Sequence, residues 1–256
     1  MSWPEMLAVF VAGVLAGTIN TIVGSGTLVT FPTLLFLGVP PLTANVSNNI
    51  GLVAGGVTGT YGYRKELTGQ SATLRRLMPL SFVGSVIGAV LLLRLPADAF
   101  RSIVPVLIAI ALVLVVVGPR LQKRAADRAE DEPAPPWHRW VIGIGVLVAG
   151  MYGGYFGAAQ GVLLMGILSA LSAEPLQRLN GYKNVLSLVV NLVAAIMFLL
   201  FARDHVTWLI VLLIGLGSFV GGIVGAKVGR RIPPNALRAL IIVIGVVAII
   251  KLLWFP

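Results

Sequence analysis

Two glycine-rich breaks hold the residues with the clearest chemical potential: GSGT at 24–27 and GAAQG at 157–161, each interrupting apolar sequence. Glycines leave backbone N–H groups approachable. A short helix starting after such a break aims its positive N-terminal end at it. Polar side chains gather around both: Asn20 and Ser25 at the first, Gln160 at the second. Asn45, Ser47, Asn48 and Asn49 open a later segment, and Asn180, Tyr182, Lys183 and Asn184 open its counterpart. Asn191 falls two helical turns after Asn184, on about the same face.

The candidate binding set is therefore Asn20, Gly24, Ser25, Gly26, Asn45, Asn48, Asn49, Gly157, Gln160, Gly161, Asn180, Tyr182, Lys183 and Asn184. It offers amides, hydroxyls, backbone donors and one ammonium, an inventory that suits a small anion with several acceptor oxygens. The competing reading is that these glycines serve only tight helix packing.

The same inventory limits catalysis. Glu5, Glu66, Asp98, Glu174 and Asp204 all lie at the ends of apolar runs or in loops, and the two histidines, His138 and His205, lie at run ends. A hydrolase needs a carboxylate pair, a Ser–His pair or metal ligands, and none is available within the apolar runs. Carboxylate proton relays are disfavoured on the same ground. The chain has no cysteine, which excludes disulfides and thiolate metal sites. The expectation is a protein that is not an enzyme and that has no cofactor or metal.

The elements that must position these residues are membrane helices. The chain has 256 residues, 57% hydrophobic and 11% charged, against about 25% charged in a soluble domain. Its mean hydropathy is +0.96. Residues 5–23, 77–93, 102–118, 140–157, 184–202, 206–226 and 236–250 are nearly free of charge, and roughly 20 apolar residues span a bilayer core as a helix. The first run lacks a basic leader and reads as part of the fold, not as a cleaved signal. A net charge of +10 then reads as basic loops facing the cytoplasm, not as nucleic-acid binding. Lys183 is the sharpest site candidate, because an ionised side chain at the bilayer centre costs about 2.5–3.5 kcal/mol. Its alternative is snorkelling to the interface.

An internal repeat organises the chain. Residues 81–101 and 218–238 are identical at ten of 21 positions, namely Ser81, Phe82, Val83, Gly84, Gly88, Ala89, Arg94, Pro96, Ala99 and Arg101 and their counterparts 137 residues on. Each copy carries a small-xxx-small pair, Gly84/Gly88 and Gly221/Gly225, for close helix approach. Pro96–Asp98 and Pro233–Asn235 then start the next helix, with Asp98 or Asn235 as its cap. More loosely, 17–29 matches 150–164, and 40–51 matches 175–186, with Pro40, Asn45 and Asn49 on Pro175, Asn180 and Asn184.

Each half thus has five segments, one long, one short and three long. The short ones, about 28–37 and 161–172, would be only about 15–18 Å long as helices and either cross obliquely or re-enter. The domains are a first repeat (1–118), a linker (119–139) and a second repeat (140–256). The linker mixes both charges with four prolines and reads as a flexible tether. Arg64, Lys65, Arg75 and Arg76 mark one cytoplasmic loop, and Lys227, Arg230, Arg231 and Arg238 another. Counting crossings places the linker in the cytoplasm, both termini outside, and the repeats in inverted orientation.

GTINTIVGSGTLVTFPTLLFLGVPPLTANVSNNIG near the start, with GMYGGYFGAAQGVLL and PLQRLNGYKNV in the second half, resembles the TauE/SafE family of sulfite exporters and related anion permeases over nearly the whole chain. Ser25 and Thr27 stand where a denser glycine run is common in that family. The resemblance implies movement of sulfur-containing oxyanions, such as sulfite or an organosulfonate like sulfoacetate, across the cytoplasmic membrane, usually outward.

The reading is an all-α polytopic membrane protein of the cell membrane. It is a secondary transporter in which one repeat rocks against the other around a midplane site. In that reading Gly24–Gly26 and Gly157–Gly161 bind the anion's oxygens, Asn49, Asn184 and Gln160 add hydrogen bonds, and Lys183 supplies charge. Facilitated diffusion, or coupling through the substrate's own proton, is expected. The partners are a small anion and membrane lipid, without nucleic acid, and a homo-oligomer is compatible with the sequence. A channel-like pore and a non-transporting scaffold are the alternatives.

Overall fold

Residues 1–129, 137–172, 174–229 and 234–254 are described by a computed structural model. Each half forms five helices, and the second of each is short. The first half has α1 (Trp3–Ile22), α2 (Thr27–Phe36), α3 (Pro41–Gly62), α4 (Ser71–Arg94) and α5 (Ala97–Ala129). The second has α6 (His138–Tyr155), α7 (Gln160–Leu171), α8 (Leu176–Phe201), α9 (Trp208–Val228) and α10 (Pro234–Trp254). No strand occurs among the described residues. Starts are written locally. Ser2 and Glu5 form a capping box on α1, with the Ser2 N–H donating to Glu5 Oε2 at 2.7 Å. Pro40 and Pro175 stand at the N-caps of α3 and α8.

Among the described residues, five helices are long and apolar enough to cross a membrane: Trp3–Ile22, Ser71–Arg94, Ser102–Arg120, Leu176–Phe201 and Trp208–Val228. Their outward faces carry exposed Leu7, Ile87, Val113, Leu200 and Leu212, as lipid-facing surfaces do. α3, 22 residues long, is the polar exception, with Asn45, Ser47, Asn48 and Asn49 turned inward and buried.

The linker expectation is corrected in part. α5 continues through Pro119 to Ala129 instead of yielding to a tether, and α6 begins at His138. The sequence RLQKRAADRA is rich in good helix formers. The rest of the linker, the loop arginines Arg230 and Arg231, and the proposed side-chain caps Asp98 and Asn235 lie outside the described residues or side chains.

Helix directions follow from the close approaches. Gly13 and Gly17 of α1, and Gly51 and Gly55 of α3, all abut Ile214 and Ser218 of α9, so these three helices run parallel. Gly84 and Gly88 of α4 abut Leu147 and Met151 of α6, which is again parallel. α8 shares the direction of α4: Leu77 shares a buried cluster with Leu179 and Tyr182, while farther along Ser85 Oγ donates to Val190 O at 2.8 Å. α3 and α8 are antiparallel, with Asn49 meeting Asn191 and Gly56 meeting Leu188. The short helices turn back. Gly153 lies over Gln160 and Gly145 over Ile167, so α7 folds along α6 toward its start. α3 begins a short turn after α2 and parallels α1, so α2 likewise returns the chain.

The halves exchange their later segments. α9 lies along α1 and α3, and α10 along α2; α4 lies along α6 and α8, and α5 along α7. Both small-residue pairs make these contacts. A Cβ on Gly84 or Gly88 would stand 2.2 or 2.0 Å from Leu147 O or Met151 O, and one on Gly221 would stand 2.1 Å from Val14 O. Packing without a hydrophobic drive between helices depends on such backbone approach. Two bundles result: α1–α3 with α9 and α10, and α6–α8 with α4 and α5.

Candidate functional site

The two breaks end their helices alike. Val23 and Gly24 N–H both donate to Ile19 O, at 2.7 and 2.9 Å. Phe156 and Gly157 N–H both donate to Tyr152 O, at 2.9 and 3.2 Å. Gly24 and Gly157 have φ of +88° and +78°, the left-handed geometry that closes a helix at glycine. Ala159 also takes a positive φ, 60°, just before α7.

The breaks then meet. Gly161 N–H donates to Gly24 O at 3.0 Å. A Cβ on Gly24 would lie 2.4 Å from Gly161 Cα, and one on Gly161 would lie 2.5 Å from Gly24 Cα. Asn20 Oδ1 accepts from Gly26 N–H at 2.7 Å and pins the first loop. Phe31 and Phe156 stack edge-on at 5.1 Å, with Phe100 beside them, and cover the second break with apolar surface.

Each break is closed by the third helix of the other half. Lys183 Nζ donates to Asn20 O and Thr21 O at 3.0 and 2.9 Å, and Asn184 Nδ2 to Thr21 O at 3.4 Å. These are carbonyls of the last turn of α1, where the helix dipole is negative. Lys183 is 0% exposed, so its side chain does not snorkel. No carboxylate pairs with it among the described residues. On the other side, Asn45 Nδ2 donates to Tyr155 O, the last residue of α6, at 3.1 Å.

Asn48 accepts from Thr30 Oγ1 at 2.5 Å and donates to Thr27 Oγ1 at 3.4 Å, holding α2 to α3. Asn49 Nδ2 donates to Asn191 Oδ1 at 3.4 Å. Among the described residues, several buried polar atoms have no protein partner: Ser25 Oγ, Gln160 Nε2, Asn49 Oδ1 and Tyr152 Oη. Such atoms are costly unless something satisfies them.

Not every candidate joins this crossing. Tyr182 donates its hydroxyl to Gln70 Oε1 at 2.5 Å, and neighbouring Gly181 packs on Leu67. Tyr182 therefore sits against the loop between α3 and α4, and Asn180 Oδ1 has no partner among the described residues. Sequence reasoning overlooked Thr21, Thr27, Thr30 and Tyr152. Thr27 and Thr30 gave a usable signal, a hydroxyl stripe along α2.

Helices broken mid-bundle, glycine loops in backbone contact and a buried lysine held by a helix end are the features of a membrane transport protein, not of a soluble domain. A family model described as Sulfite exporter TauE/SafE matches residues 9–252, and the chain belongs to that family. It is similar to a probable membrane transporter, ORF9, of Sinorhizobium sp, 28% identical over 251 residues, covering 96% of this chain and 92% of that protein. YfcA of Escherichia coli K12, also named a probable membrane transporter, is 26% identical over 252 residues, covering 98% and 91%. YunE of Bacillus subtilis 168 is 24% identical over 258 residues, covering 92% and 94%. These names agree with a multi-pass membrane transporter.

Proposed function

We propose that this protein is a secondary carrier, an exporter of small sulfur-containing oxyanions such as sulfite or an organosulfonate, and that the crossing of its two breaks is the substrate site. The observation that carries this reading is the pair of unpartnered donors at the crossing. Ser25 Oγ and Gln160 Nε2 are 0% and 3% exposed at the residue level, and neither has a partner among the described residues. A tetrahedral or pyramidal oxyanion supplies the acceptors they lack. The Lys183 ammonium favours negative charge there.

The helix directions support two inverted repeats, 1–118 and 140–256. The basic loops at 64–76 and 227–235 favour a cytoplasmic linker and outward-facing termini. The exchanged packing changes the moving parts: the rigid units are the two bundles, not the two repeats. Lys183, Asn45, Asn49 and the Gly24–Gly161 bond all join one bundle to the other, so these contacts must rearrange during alternating access.

The test is counterflow in proteoliposomes with sulfite, sulfate, sulfoacetate, taurine and a carboxylate of similar size. Saturable, trans-stimulated movement of a sulfur oxyanion is expected. Movement of none of them would overturn the substrate class, and flux without saturation or counterflow would mean a pore.

A further inference from the structure

On the outside of the second bundle a groove of about 640 Å³ opens between the first turns of α4 and α6. Farther along, these helices touch through backbone at Gly84 and Gly88. Toward their starts they part, and a Cβ on Gly143 would meet only Leu80 Cδ1, at 3.2 Å. Pro79, Leu80, Gly143, Ile144 and Leu147 make an apolar floor, while Arg76 and Arg139 stand at the same end on opposite walls. Neither arginine has an ion-pair partner among the described residues. Trp140, 78% exposed, stands beside Arg139, and tryptophan at such a place marks the lipid headgroup level. From Arg139 to Leu147 the groove runs about 12 Å along α6.

We propose that this groove binds an anionic phospholipid, with its phosphate between Arg76 and Arg139 and an acyl chain along Leu80, Ile144 and Leu147. Guanidinium groups match phosphate oxygens in bidentate geometry. The groove opens sideways, where lipid is the solvent, and none of the crossing residues lines it. A neutral lipid would leave both guanidiniums unanswered in the groove. A second copy of this chain placed symmetrically would bring the same positive charges together.

The experiment is native mass spectrometry of the full chain in mild detergent, titrated with phosphatidylglycerol or phosphatidylethanolamine of identical acyl chains. Phosphatidylglycerol is retained about tenfold better, and Arg76→Gln and Arg139→Gln each weaken its retention about fivefold. Gly143→Leu, which keeps both charges and fills the floor, displaces it as well. Arg203→Gln, between α8 and α9, leaves retention unchanged. Equal retention of the two lipids overturns the proposal. So does undiminished phosphatidylglycerol binding by the double arginine variant, or a groove variant that alters only self-association.

Discussion

Gly24→Ala tests the crossing most directly. The new methyl would lie 2.4 Å from Gly161 Cα and 2.7 Å from its carbonyl carbon. Both are backbone atoms of the opposite break, so neither can swing aside. Overpacking of this kind costs about 1–3 kcal/mol. At φ +88° an alanine adds about 1–2 kcal/mol of left-handed strain, so the total is about 2–5 kcal/mol. Gly38 provides an internal control, with a φ of +78° and nothing within 4 Å of an added Cβ. Gly38→Ala therefore carries the conformational cost alone, about 1–2 kcal/mol. Gly161→Ala carries the steric cost alone. The assay is denaturant or thermal unfolding in detergent, paired with counterflow. The expected order of stability is Gly38→Ala, then Gly161→Ala, then Gly24→Ala, with transport lost in the last two and kept in the first. If Gly24→Ala is no less stable than Gly38→Ala and still transports, the breaks do not meet as described.

Three further outcomes follow. Ser25→Ala removes a buried hydroxyl without a partner among the described residues, so unfolding shows a gain of about 1 kcal/mol while anion affinity falls about tenfold. Ala159→Gly relieves the positive φ of a non-glycine and stabilises by about 1 kcal/mol in the same assay. The chain has no cysteine, so disulfides can report motion. Gly56→Cys with Leu188→Cys joins the two bundles at a Cβ–Cβ distance of 3.6 Å, and Gly59→Cys with Thr21→Cys joins α3 to α1 within one bundle at 3.6 Å. Oxidation stops counterflow reversibly in the first pair and not in the second; the opposite pattern would refute the bundles as the moving units.

The order of long and short helices was legible because apolar runs, glycine breaks and the Pro40 and Pro175 starts are local signals. α3 was visible only through the repeat, since hydropathy alone does not recognise a helix whose asparagines face inward. The extension of α5 to Ala129 was missed because charge and proline content outweighed helix propensity in the reading of the linker. At the site, residue types and spacing picked out Asn20, Gly24, Asn45 and Lys183 as polar positions near the breaks. They did not identify the partners. Periodicity gives the face of a helix, not the neighbour it meets. The bond from Lys183 to α1 and the diversion of Tyr182 to Gln70 depend on how the halves exchange segments. Ala159 carried no signal at all, since its left-handed geometry is one that sequence associates with glycine.

Under the proposed function, the charge at the crossing bears on which anion the carrier prefers. The ends of α1 and α6 each present about −0.5 of an elementary charge, and the starts of α2 and α7 each present about +0.5. These four ends lie at the two breaks and cancel to first order. The two halves are therefore near equivalents electrostatically, except at one position: α8 supplies Lys183 to the end of α1, where α3 supplies the neutral amide of Asn45 to the end of α6. Among the described residues, Lys183 is the one side chain at the crossing that can carry charge, so under the proposed function it is matched by one negative charge, not two. A singly charged sulfonate or hydrogensulfite leaves the loaded crossing neutral, whereas sulfate leaves one charge uncompensated. With an effective dielectric of about 20 and a separation of about 6 Å, the ammonium contributes about 3 kcal/mol, on the order of 100-fold in affinity. Competition for counterflow should rank a monovalent sulfonate well above sulfate. Lys183→Met, which keeps the buried stem and removes the charge, should weaken sulfonate by about that factor. Equal competition by sulfate, or a Lys183→Met variant with unchanged sulfonate affinity, would remove Lys183 from the charge balance of the site and leave it as the cap of α1.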